Sequence, residues 1–392
     1  VSTFLEQIYE QAKILWSSKT LTLQTKYHMH RTCLLSRAIY MFRGTDTNQN
    51  IKEISEKIEK LYIDIFNIPK ELMRLPVSIG GMGMLYLDDM RQVSRLSYLI
   101  EIGEKEIPDA LKPFLKVNEK IQKGEIQHKI STAYFKRKKE MYLGSNNNTD
   151  KNIAQMLDEK QTSSAHSLLM APPTNPTQAF DDVEFRILIA LRYHIDITKH
   201  SELECMACDK HETSLWHILG CRIGNAKTRM YIHERVKLII GHALAKNKNV
   251  LKVTYEQYAE DQDRDTHRPD IVLSLANGKQ DVIDVCVDSK FQSKLFCGLE
   301  PTAGVARKEK QYKSTEVKAI SFDNSGRINS KSLAYLKLMG ISKGIIKYIQ
   351  CVIIKSNAYV LKDLCKKQKE ASTSIDRRHN IHLDEEMLGA MK

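Results

Sequence analysis

The chain has 392 residues, 42% hydrophobic and 28% charged, with 60 Lys and Arg against 48 Asp and Glu, a formal net charge of +12. That length suggests about two to three domains of ordinary globular composition, and the charge favours a polyanionic partner, nucleic acid rather than a membrane surface. No apolar run approaches the ~20 residues of a membrane-spanning helix, and no signal peptide opens the chain; a start at Val1 is what a fragment or a processed piece would show.

Residues 1–110 read as mostly helical. Leu21 to Phe42 and Ile51 to Phe66 carry apolar residues at mixed three and four spacings. "LPVSIGGMGM", 75–84, breaks the pattern with a proline and three glycines. "LDDMRQVSRLSYLIEIG" resumes it, with Asp88 or Asp89 as the expected N-cap. "YLDD", 86–89, also matches the tyrosine-x-Asp-Asp metal motif of polymerases. A polymerase palm, however, needs a partner aspartate on an earlier strand, and what precedes this point reads as helices; a capping pair is the expected role. Residues 111–200 hold a basic linker and helices. Within them, 111–150 include "FKRKKE" and the low-complexity "GSNNNTD", the composition of a linker or of a loosely packed helix ending in a loop. "APPTNPT", 171–177, is a second break. No internal repeat is present.

Eight cysteines are too few for a disulfide scaffold in a chain this long, and they fit a reducing intracellular compartment. Three of them cluster in "CMACDKHETSLWHILGC", within 201–224. Cys205, Cys208, His217 and Cys221 have the spacing C-x2-C-x8-H-x3-C. A C-x2-C pair sets two thiolates on one side of a tight turn, and residues 217 and 221 share a face if helical. Four soft ligands with no open position describe a structural zinc site. His211 is the rival histidine.

From 225 to 370 the pattern becomes mixed. Arg229 to Leu244 is an amphipathic helix. Val250 to Tyr255, Ile271 to Leu275 and Asp281 to Val287 are strands, Ala303 to Thr315 is a basic helix, and Val317 to Phe322 is a fourth strand. Two further helices follow, ending near Gln368, and 371–392 form a polar tail. Ile271 to Leu275 and Asp281 to Val287 flank Asn277-Gly278, a strong hairpin signal. Asp270 stands at the start of the first strand and Asp284 inside the second, so both fall at the hairpin's open end. Two adjacent carboxylates repel unless a cation lies between them, and hard oxygen ligands suit Mg²⁺. A plain two-residue turn would set position 270 opposite 285 and put the two carboxylates on opposite faces. A shared cation therefore requires an odd-length loop or a bulge, with Gly278 at positive φ. Lys308 and Tyr312, four apart on the basic helix, share one face. The lysine would orient an attacking water or stabilise charge on a phosphate.

Arg268-Pro269-Asp270, thirteen residues and then Asp284 resembles the proline-Asp, Asp/Glu-x-Lys core of restriction-like endonucleases. The order of elements resembles that fold's αβββαβ core. Specifically, the chain resembles the C-terminal part of non-LTR (LINE-type) retrotransposon proteins. There a Cys-Cys-His-Cys knuckle precedes the nuclease, as Cys205, Cys208, His217 and Cys221 do here, and a downstream Lys-x3-Tyr matches Lys308 and Tyr312. Residues 21–103 resemble the thumb that follows the reverse-transcriptase palm, with "LPVSIGGMGM" similar to its Leu-Pro and Gly-Gly-Leu-Gly segment. The literal Asp-x-Lys is broken by Cys286. In this group the lysine role comes from the next helix, which makes Lys308, of the Lys-x3-Tyr match, the choice over the Lys290 of Asp288-Ser289-Lys290, with Lys310 of the same helix left open. The resemblance implies an α+β chain: a helical thumb-like region, a zinc knuckle, a restriction-endonuclease-like core and extra C-terminal helices. It implies an enzyme that nicks duplex DNA with Mg²⁺ (or Mn²⁺) so that the exposed 3′-hydroxyl primes reverse transcription of the element's RNA. Asp270 and Asp284 would hold the catalytic ion. Fingers and palm are missing, so polymerisation is not expected of this chain. Duplex DNA, the element RNA and a nuclear site of action follow from the same likeness. The alternative is an inactive nucleic-acid-binding scaffold on the same fold. A repair or junction-resolving nuclease is a third reading, in which the thumb-like residues have no place.

Overall fold

The computed structural model describes residues 2–44, 50–66, 68–115, 123–145, 166–170, 176–193, 195, 208, 214–221, 226–258, 268–288, 302–312, 316–363 and 366–367. The described residues are α+β, predominantly helical with a small four-stranded mixed sheet. Described residues up to Ile195 belong to one compact unit and those from Cys208 onward to a second.

The first unit is helical. Residues 23–44 form one continuous helical run, Leu23–Met29, His30–Leu35 and Ser36–Gly44, in which the middle segment is wound as a π turn. One extra residue per turn there shifts the buried face, which explains apolar residues at mixed spacings. His30 turns inward and accepts a hydrogen bond from Trp16, whose ring also packs on Tyr62 and Phe66. Asp88 and Asp89 do not cap their helix. The helix Leu87–Glu101 is preceded by Tyr86 with no side-chain cap, and both aspartates lie in its first turn, where their charge suits the helix dipole. Asp88 pairs with Arg91 and Gln92, and buried Asp89 takes Lys138 and Tyr134. These bonds account for "YLDD" without a metal. The basic stretch 111–150 contains a packed helix, Ile126–Ser145, with Ile126, Ile130, Ala133 and Phe135 buried. So "FKRKK" is not all solvated: Phe135 faces the interior and Lys138 is held by Asp89.

The second unit carries the sheet, in order β1 (Val250–Tyr255), β2 (Ile271–Leu275), β3 (Gln280–Asp288) and β4 (Val317–Asp323). β1–β2 and β2–β3 are antiparallel, and β3–β4 is parallel. A parallel pair needs a crossover, and helix Thr302–Gln311 lies within it. Strand alternation sorts the side chains. Ile271, Leu273, Ile283, Val285, Ile320 and Phe322 point to one face and form a core with Ile232, Val236, Ile240 and Leu244 of helix Ala226–Leu244. Those four helix positions recur every fourth residue, a single stripe. Helix Ser330–Leu338 and helical residues 343–363 complete that layer through Leu336, Ile349 and Ile353. Each such aliphatic side chain contributes about 1.5–3 kcal/mol on burial. Val272, Val282, Val317 and the Tyr312 ring form a smaller cluster on the opposite face. Gly241 lets helix and β1 approach closely: a Cβ there would stand 2.3 Å from the Tyr255 hydroxyl.

Candidate functional site

Register decides whether the two aspartates meet. Ile271 pairs with Ile283, Val272 with Val282 and Ser274 with Gln280. The same register sets Asp270 opposite Asp284, on one face. It arises because the loop has three residues, 276–278, closed by Leu275 N–H to Lys279 O and Gly278 N–H to Leu275 O. Gly278 adopts φ +78°, the left-handed conformation that a three-residue hairpin with a bulge requires. The odd-length loop demanded by a shared cation is present.

Asp270 ends the β2–β3 ladder with its side chain. Its Oδ2 accepts the Val285 N–H at 2.7 Å and lies 3.1 Å from His233 Nε2, which is also 3.2 Å from the Val285 carbonyl. Burial works against its ionisation, but hydrogen bonds with His233 and Asp284 and the Val285 N–H hold its carboxyl below the usual carboxylate range. Asp284 is only 2% exposed. Burial first, and then the neighbouring Asp270, push it up to about 7 against the opposing pull of Lys308. Of two carboxylates in one dry place, one has its pKa raised in this way. The hydrogen bond with Asp270 holds the His233 imidazole above its ordinary pKa.

Lys308 reaches both oxygens of Asp284, at 3.1 and 3.0 Å. Tyr312 lies one residue beyond the helix Thr302–Gln311 rather than on it, yet its ring is buried against Val272, Val282 and Val317. Burial, with Asp284 beside it, raises its phenol. The Tyr312 hydroxyl is itself buried, beside Asp284. Cys286, where the literal motif would have lysine, receives the Arg307 guanidinium at 2.9 Å. Lys310, two residues past Lys308, is exposed, and Lys290 lies outside the described residues. The arrangement is a carboxylate pair, an ammonium and a buried phenol converging at one end of a sheet.

A second group is separate in sequence. Cys208, His217 and Cys221 bring their ligand atoms within 4.8 Å of one another and can hold a metal ion. Cys208 Sγ is 3.2 Å from His217 Nε2. Ser214 caps helix Leu215–Gly220 by accepting the His217 N–H, which fixes the turn that presents the histidine. Cys205 and His211 lie outside the described residues.

His233 is the site residue that sequence reasoning missed. It follows Ile232 of the apolar stripe, so it sits at the stripe's edge. The only sequence signal was a polar triplet spacing, His233, Glu234 and Lys237, on one flank of an amphipathic helix. No protein-family model matches the chain, and no curated protein matches it. Among the described residues no helix is long and apolar enough to cross a membrane.

Proposed function

We propose that the second unit is a Mg²⁺-dependent endonuclease that cuts duplex DNA by phosphodiester hydrolysis. The observation that carries this reading is the face shared by Asp270 and Asp284, with Lys308 on the second carboxylate. More particularly, we read the chain as the thumb, zinc knuckle and nuclease of a non-LTR retrotransposon protein, nicking genomic DNA in the nucleus to prime reverse transcription. Helix, three strands, helix and strand, closed by a parallel β3–β4 pair, support a restriction-endonuclease-like core.

The donors suit a hard divalent cation. Asp270 and Asp284 supply carboxylate oxygens, and the raised pKa of Asp284 is the mark of a pair that a cation would relieve. Such an ion, when bound, would acidify water and offset charge on the phosphate. Lys308 places its ammonium at the same carboxylate edge, where it stabilises a phosphate oxygen as charge builds. Tyr312, its hydroxyl buried beside Asp284, would help to position that carboxylate rather than meet solvent. Supercoiled plasmid incubated with the purified chain should be nicked in Mg²⁺ and untouched in EDTA; equal conversion in both would remove the metal-dependent reading.

The basic balance predicts how the chain binds. Each phosphate neutralised by Lys or Arg releases counterions, so affinity for non-specific duplex DNA should fall steeply between low and moderate salt. A filter-binding series showing no salt dependence would point to a protein partner instead.

The thiolate and imidazole donors of Cys208, His217 and Cys221, with Cys205 as the fourth ligand, fit structural zinc. Elemental analysis should find about one zinc per chain, as a single four-ligand site predicts. Cys208→Ser should lose it and speed amide exchange around Leu215–Gly220. Full zinc retention in that variant would dismiss the site. Release by His211→Ala but not His217→Ala would exchange the two histidines.

A further inference from the structure

We propose that His233 is a positioning residue for the candidate cation site: its imidazole N–H pins one oxygen of Asp270, leaving the other to face Asp284. The inference rests on the carboxylate pair being a cation site, as proposed above.

The geometry fixes the proton. His233 Nε2 lies 3.1 Å from Asp270 Oδ2 and 3.2 Å from the Val285 carbonyl oxygen. Both are acceptors beside a single nitrogen, so Nε2 carries hydrogen. Oδ2 also receives the Val285 N–H at 2.7 Å. Two donors from different elements therefore saturate Oδ2 and set the carboxylate plane. The imidazole is held in turn from behind. Nδ1 faces Glu234 Oε1 at 3.4 Å. Buried Lys237, one turn further along the same helix, binds Glu234 Oε2 at 2.7 Å and also Glu256. Lys237, Glu234, His233 and Asp270 thus form one polar chain beginning on helix Ala226–Leu244 and ending at the open end of the hairpin.

Such a chain has an energetic purpose. A carboxylate already fixed in its ligating orientation loses little freedom when a cation arrives. Hydrogen-bond partners behind a ligand typically change metal affinity about 10–100-fold. The helix brings no apolar contact through His233 that a leucine could not replace, because its core stripe is Ile232, Val236, Ile240 and Leu244.

Mn²⁺ binding to the full chain without DNA, followed by electron paramagnetic resonance, separates the alternatives. His233→Leu should weaken binding by about 10–100-fold, and His233→Gln, whose amide still donates, should recover most of the loss. Asp270→Ala should abolish binding. If His233→Leu does not fold, His233→Asn, polar but too short to span to Asp270, takes its place. Wild-type affinity in His233→Leu or His233→Asn, with Asp270→Ala dead, overturns the role of His233 alone. A glutamine variant as weak as leucine overturns it too, because the donated hydrogen bond is then irrelevant. Wild-type affinity in Asp270→Ala removes the carboxylate site itself.

Discussion

Asp270→Ala and Asp284→Ala are each expected to abolish Mg²⁺-dependent nicking while leaving duplex binding intact or stronger. Each removes one of two carboxylates that the three-residue loop sets on one face. Neither change removes a basic group, and each takes a negative charge away from approaching phosphates. Asp270→Ala also strips an acceptor from the Val285 N–H and from His233. Asp270→Asn is therefore the companion variant: it keeps an acceptor for that N–H but loses the charge a cation needs. The wild type adds a pH signature. Burial and Asp270 push Asp284 up to about 7, so below that pH a proton competes with a cation for its carboxylate. Mg²⁺ affinity should fall as pH drops below about 7 and level off above it. Wild-type nicking rates in both alanine variants would end the nuclease reading of this hairpin.

Parts of this site were legible in the sequence for physical reasons. Period-two alternation marks β2 and β3, and a shared face for residues 270 and 284 calls for an odd-length loop or a bulge, of which the chain has the three-residue loop. Gly278 was legible because the left-handed conformation favours glycine. The spacing of Lys308 and Tyr312 was legible too, although Tyr312 lies past the end of its helix and owes its place to Val272, Val282 and Val317. What stayed hidden depends on partners distant in the chain. His233 looks like a half-exposed helix residue until Asp270, 37 positions away, arrives beside it. Asp89 looks like a cap until Lys138 and Tyr134 reach it from another helix. Local propensity carries no information about such meetings.

Lys308→Ala should slow nicking by about 10²-fold or more, the scale of deleting one electrostatic stabiliser and about 2.7 kcal/mol of barrier. The side chain is placed for this, with Nζ 3.0 Å from Asp284 Oδ2 and 3.1 Å from Oδ1. Its removal has a second effect that the assay must separate. The ammonium opposes the rise of Asp284, so without it that carboxyl climbs further and binds cations less readily. Rates must therefore be compared at saturating Mg²⁺, where a deficit in occupancy vanishes and a deficit in stabilising the phosphate persists. Tyr312→Phe should cost less than Lys308→Ala, because the ring keeps its packing and only a buried, uncharged hydroxyl is lost. Lys310→Ala, at an exposed position, should leave the rate unchanged. Lys290→Ala is the decisive control and should stay near wild type. Loss of nicking in Lys290→Ala together with normal rates in Lys308→Ala would transfer the cation's partner role to Asp288-Ser289-Lys290. Lys308 would then be left as a salt bridge that merely steadies Asp284.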